Sequence, residues 1–167
     1  MAVANTKSTH ITNADATPPV LTNGFIANGV VHEAVGTVET LAADDAASVY
    51  RLVRVPSNAR ITRMLLASDA ITGASASDVG VYQTAANGGA VLDADFFATD
   101  VDISSAVAFT EVILEATATD ISKVEKRLWE LFPGTYTSDP MIDFDIAVTV
   151  NDVTAAGTIS MKVSYVV

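Results

Sequence analysis

Apolar residues occupy every second position through Ile142, Phe144, Ile146, Val148 and Val150, with Asp143, Asp145, Ala147 and Thr149 between them. The same alternation runs through Ile159, Met161, Val163, Tyr165 and Val167, spaced by Thr158, Ser160, Lys162, Ser164 and Val166. A period of two is that of a half-buried antiparallel strand. Met141–Val150 and Thr158–Val167 therefore read as a closing pair of strands whose apolar faces need a second layer. Asp143, Asp145, Thr149, Ser160, Lys162 and Ser164 are expected on a solvated or lightly contacted exterior. The connector Asn151–Gly157 has turn chemistry at both ends.

Earlier segments give six more strands. Gly29–Leu41 is rich in Val and Thr, but Glu33 and Glu39 share a parity with Val31 and Val35, the mark of an edge strand or a bulge near Gly36. Ser48–Val55 leads through Pro56-Ser57-Asn58 to Ala59–Leu66 as a hairpin partner. This pair carries Arg51, Arg54, Arg60 and Arg63, with the two arginines of each strand at opposite parity. These arginines either pair with the chain's own carboxylates across strands or form a recognition patch for an acidic partner. Ser77–Gln83 and Ala90–Phe97 flank Asn87-Gly88-Gly89, a turn that tolerates the positive φ of a tight hairpin. Phe109–Ala116 is a further strand.

One segment departs from this period. Ile121, Val124, Leu128, Leu131 and Phe132 share one helical face, Ser122 and Glu125 fit a capping box, and Pro133-Gly134 ends the run. Asp120–Phe132 is thus predicted to be one short amphipathic helix, with Trp129 at the rim of its apolar face. Seven or eight strands without βαβ alternation argue for an all-β, antiparallel β-sandwich. A jelly roll is the favoured topology and an immunoglobulin-like arrangement the alternative.

Residues 28–167 form the predicted sandwich domain. Residues 1–27 are small and polar and read as an extended or flexible N-terminal arm. Pro18 and Pro19 favour an extended path. Such a segment is either a free tail or an arm that docks on a neighbour through Val20, Leu21, Phe25 and Ile26. Those four apolar residues have no other evident purpose.

Composition narrows the function. The chain of 167 residues carries a net charge of −11, and only nine residues are Lys or Arg. Neutralising a phosphate backbone takes clustered basic residues, so nucleic acid is not an expected partner. Charged residues make up 17% of the chain, leaving a low-charge surface suited to partial burial in an assembly. Cysteine is absent, which excludes disulfides, thiolate metal sites and cysteine nucleophiles. The N-terminus does not read as a secretory signal, and no stretch has the length of a membrane span.

Catalytic and metal signatures fail on inspection. His10 and His32 are the only histidines, and no His-x-x-x-His spacing occurs. The cluster Asp93, Asp95, Asp100 and Asp102 begins like a calcium loop, but Phe97 stands at the fifth position, no Gly follows and Ser104 replaces the final Glu. These carboxylates are expected to be solvated, with a divalent-cation site as the alternative. Gly73-Ala74-Ser75-Ala76-Ser77 is not a nucleophile elbow, no triad is legible, and no pair of carboxylates with aromatic sugar platforms stands out. The expectation is a protein that is not an enzyme and uses no cofactor.

Several segments together carry a resemblance: Tyr50–Pro56, Ala59–Ile61, Asp69–Ile71, Ser77–Tyr82, Val91–Phe97, Leu128–Leu131, Phe144–Thr149 and Thr154–Ile159. Over residues 48–167 the chain resembles virion structural proteins of tailed bacteriophages, closest to capsid cement (decoration) proteins with a jelly-roll fold. That resemblance implies a protein made in the host cytoplasm and added to the exterior of the head. It would bridge neighbouring major capsid proteins as a small homo-oligomer, a dimer or trimer. The competing readings are a head-fibre or tail module that binds host glycans, and a self-assembling shell or tube subunit.

Overall fold

The computed structural model describes residues 6–113, 121–152 and 155–167. Eight strands are present: β1 (Val31–Thr40), β2 (Ser48–Pro56), β3 (Arg60–Ser68), β4 (Ser77–Gln83), β5 (Val91–Val101), β6 (Val107–Glu111), β7 (Asp143–Val150) and β8 (Gly157–Val166). They form two four-stranded antiparallel sheets, ordered β1-β8-β3-β6 and β2-β7-β4-β5. This interleaving, in which every consecutive pair of strands except β4–β5 passes between the sheets, is the jelly-roll order, and it matches the predicted fold class. The last part of the predicted strand Phe109–Ala116 lies outside the described residues.

The alternation along β7 and β8 has a direct structural cause. Phe144, Ile146, Val148 and Val150 face Ile159, Met161 and Val163 across the sandwich, and all are buried. Val55, Met64, Leu66, Val79 and Val81 complete the interior. Each such side chain contributes about 1.5–3 kcal/mol by leaving water.

Partners, unlike faces, differ from the sequence reading. β7 and β8 do not pair with each other: β7 lies between β2 and β4, and β8 between β1 and β3. Each provides the second layer that the other's apolar face required. Likewise β2 and β3 lie in opposite sheets. The tight turn at Ser57–Asn58 is a crossover between layers, not a hairpin. Only β4 and β5 form the hairpin expected of them, turning through Gly88 and Gly89 at φ of 96° and 68°.

The predicted helix is also corrected. The one α-helix among the described residues, α1, is Thr9–Ala14 in the arm. Asp120 lies outside the described residues, and the rest of Asp120–Phe132 makes two 3-10 turns, Ile121–Lys123 and Leu128–Leu131. Arg127 between them is extended at φ −76° and ψ 158°. The reason is competition for backbone donors. The Leu128 and Trp129 N–H groups donate to the Ala59 and Ser57 carbonyls at 2.8 and 3.0 Å, docking the turn on the β2–β3 crossover. Leu128 and Phe132 are buried, whereas Ile121 is exposed. Glu130, and not Glu125, provides a cap, accepting from the Arg127 N–H at 2.8 Å.

Two glycines mark close backbone approaches. Gly36 in β1 lies against the Leu52 carbonyl of β2, where any Cβ would overlap it. The two edge strands thus close one side of the sandwich. Gly80 in β4 is covered by the Asp93 and Ala94 carbonyls. There β5 carries extra residues, so that Val79 stands opposite Ala98 but Val81 opposite Asp93. This bulge lets the adjacent Phe96 and Phe97 both be buried.

Candidate partner-binding surface

The arm folds into a small hook. The Ser8 side chain caps α1, accepting from the Ile11 N–H. Lys7 Nζ lies 2.7 Å from Asp15 Oδ2, His10 Nδ1 lies 3.0 Å from Thr22 Oγ1, and the Val20 N–H donates to the Asn13 carbonyl at 3.0 Å. The chain reverses across a cis Thr17–Pro18 peptide. No residue of α1 is buried.

The six candidate contact residues separate into two groups. Pro18, Pro19, Val20 and Leu21 are exposed, Leu21 at 95%. Phe25 and Ile26 are half-buried. Arg60 Nε donates to the Phe25 carbonyl at 2.6 Å, and the Arg127 guanidinium sits 4.2 Å from the centre of the Phe25 ring. That stack is a cation–π contact. The root of the arm is therefore fastened to the domain, while its tip presents two large aliphatic side chains to the surroundings.

The arginine-rich strands resolve into intramolecular pairs. A register shift at Leu52 breaks the simple alternation, so Arg51 and Arg54 both reach Asp145. Arg51 Nη1 donates to Asp145 Oδ2 at 3.0 Å, and Arg54 Nε donates to Oδ1 at 2.7 Å. Arg51 also donates to the Gln83 and Gly89 carbonyls, tying in the β4–β5 turn. Arg63 pairs with Glu111 at 3.2 Å.

Asp145 and Thr149, predicted on an open exterior, are in fact buried. The two arginines cover Asp145, and the Tyr82 hydroxyl bonds to that of Thr149. Burial pushes the Asp145 carboxyl up, but hydrogen bonds from Arg54 and Arg51 and their positive charges outweigh it and hold the group below the usual carboxylate range. The signal for this site was an Asp directly opposite an Arg in paired strands. The bulge that brings in the second Arg has no sequence signature of its own.

The acidic cluster is dispersed. The Asp95 N–H lies 3.4 Å from Asp93 Oδ1. Burial and the neighbouring Asp95 carboxyl push Asp93 up. The Asp100 N–H donates to Asp78 at 3.0 Å, and Asp102 accepts from the Ser104 N–H at 2.9 Å. Hydrogen bonds from Ser104 pull Asp102 down. Among the described residues no three His, Cys, Asp or Glu side chains converge as a metal site. His32 stacks on Tyr165 at 5.6 Å, and Ser75 donates to Asp152 at 2.7 Å. No described helix is long and apolar enough to cross a membrane.

The fold recurs in two solved phage assemblies. The chain aligns over its whole length with a chain of the cyanophage Pam1 capsid asymmetric unit, at 18% identity and a TM-score of 0.51, covering 99% of that chain. It also aligns with a chain of the Ralstonia phage GP4 capsid, at 18% identity and a TM-score of 0.55, covering 83% of this chain and 84% of that one. The likeness is one of fold. No protein-family model and no curated protein sequence matches the chain.

Proposed function

We propose that this chain is a component of a phage virion: a capsid cement, or decoration, protein. It would bind the exterior of the assembled head and bridge neighbouring major capsid proteins as a small homo-oligomer. The observation that carries this reading is the end-to-end correspondence with a chain of the Pam1 capsid asymmetric unit. Because 99% of that chain is matched, the likeness extends over the whole folding unit.

Two features of the molecule support the reading. The arm keeps Val20 and Leu21 outside any core, an arrangement whose cost in water is relieved by docking on a partner. The outer face of the β1-β8-β3-β6 sheet exposes Val35 and Phe109, with Lys162 lying 4.5 Å from the Phe109 ring centre. That leaves apolar side chains exposed to contact.

On this reading the protein stabilises the shell by mass action, binding assembled capsid and not its dissociated subunits. Sedimentation with undecorated heads of the parent phage tests it. The protein is expected to pellet with heads up to a saturating ratio and to remain in the supernatant with unassembled capsid protein. Equal association with both would contradict the proposal.

A further inference from the structure

Three asparagines of the chain precede glycine: Asn23–Gly24, Asn28–Gly29 and Asn87–Gly88. Glycine has no Cβ to shield its amide nitrogen, so that nitrogen can approach the carboxamide of the preceding side chain. The three pairs share this local chemistry but differ in their surroundings. Asn87 Nδ2 donates to Thr84 Oγ1 at 2.9 Å, and the Gly88 N–H donates to the Ala85 carbonyl at 3.3 Å. Both groups that would react are therefore held. Gly29 is boxed in: a Cβ there would overlap the Val166 side chain and the Gly24 carbonyl, so the Asn28–Gly29 peptide has little room to turn. Asn23–Gly24 is open. Both residues are exposed, and no atom beyond the chain neighbours lies within 4 Å of a Cβ placed on Gly24. Among the described residues neither the Asn23 side chain nor the Gly24 N–H makes a hydrogen bond. The main chain at this point has a structural task. The Asn23 carbonyl accepts from the Ile26 N–H at 2.9 Å and the Ala27 N–H at 3.1 Å. That turn sets Phe25 between Arg60 and Arg127.

We propose that Asn23 is a site of spontaneous deamidation, and that its conversion releases the root of the arm. The Gly24 nitrogen gives its proton to hydroxide and bonds to Asn23 Cγ. The Cγ–Nδ2 bond breaks, and the departing nitrogen takes a proton from water and leaves as ammonia. A second water opens the resulting five-membered imide. Opening at Cγ gives aspartate, and opening at the α-carbonyl gives isoaspartate. In isoaspartate the main chain runs through Cβ and Cγ, and the former main-chain carbonyl becomes a pendant carboxylate. The acceptor of the Ile26 and Ala27 N–H groups thereby leaves the main chain. The turn that presents Phe25 to its two arginines is lost with it.

The test holds the full chain at pH 9 and follows each Asn-Gly pair by peptide mapping with mass spectrometry. Asn23 should convert about fivefold faster than Asn87, the weight of the one hydrogen bond that the Asn87 amide must give up, and faster than Asn28. In urea the three rates should converge, because only the fold separates them. Gly24→Ala puts its methyl into open space. It should keep the wild-type melting temperature and slow conversion at Asn23 severalfold. Wild type converted to isoaspartate at Asn23 should melt several degrees below fresh protein, and Gly24→Ala aged beside it should not. Persistence of Asn23, or equally fast conversion of Asn28 or Asn87 in the folded protein, overturns the assignment of the site. An unchanged melting temperature after full conversion at Asn23 overturns the release of the arm.

Discussion

Asp145 shows how much one side chain organises on the outer face of the second sheet. It is buried, yet it is met by two guanidinium groups that keep it ionised and hydrogen-bonded. Replacing it with Asn removes the charge and leaves both arginines facing a weak acceptor. Asp145→Asn is expected to cost about 2 kcal/mol, the scale of hydrogen bonds to charged groups, measured by urea unfolding at pH 7. The pH dependence has a definite sign. The folded carboxyl titrates below its unfolded value of about 3.9, so its contribution is complete above that value. As pH falls through the depressed folded pKa, that contribution disappears. The stability gap between wild type and Asp145→Asn should therefore close in acid; a constant gap down to pH 2 would mean that charge is not the cause. Gly80 provides a steric counterpart. Gly80→Ala sets a methyl against the Asp93 and Ala94 carbonyls, and a loss of about 1–3 kcal/mol is expected from overpacking. Unchanged stability in the same assay would show that the β5 bulge yields freely.

At the scale of elements, the apolar alternation of β7 and β8 was legible because burial repeats with the strand period, and each of the eight strands overlaps a predicted one, although β6 starts two residues ahead of the predicted Phe109–Ala116. What alternation cannot carry is the partner of each strand. β7 and β8 show the same pattern whether they pair or face each other across a core, and Ser57–Asn58 turns equally well within a sheet or between sheets. Bulges were hidden for the same reason. A register shift at Leu52 needs no Gly or Pro, yet it sets both Arg51 and Arg54 on Asp145. The helical period at Asp120–Phe132 was outweighed by tertiary backbone bonds to Ser57 and Ala59. For the candidate surface, the sequence named the apolar residues of the arm but not the division between Val20–Leu21 and Phe25–Ile26, which depends on the distant Arg60 and Arg127. That division is testable. Removing residues 1–22 should leave the melting temperature within about 3 °C of wild type. Removing residues 1–27 also deletes the Phe25 clamp, worth about 1–2 kcal/mol, and should lower the melting temperature by several degrees more. Both deletions should weaken binding to heads. Equal melting temperatures for the two would show that the clamp contributes nothing.

For the molecule as a whole, the proposed role is attachment. The interior is a closed sandwich, and one pair of edge strands is shut by the contact of Gly36 with Leu52. The buried Asp145 carboxylate ties β7 to β2 through Arg51 and Arg54. What remains exposed is the hook with Leu21 and the outer face around Phe109. On the proposed reading these are the surfaces that would meet the capsid. The most direct measurement is to mix the protein with undecorated heads and image the particles by cryo-electron microscopy. The account predicts added density of this jelly roll at symmetry-related positions on the outer surface, spanning neighbouring capsid subunits. Bare heads at saturating protein would contradict it.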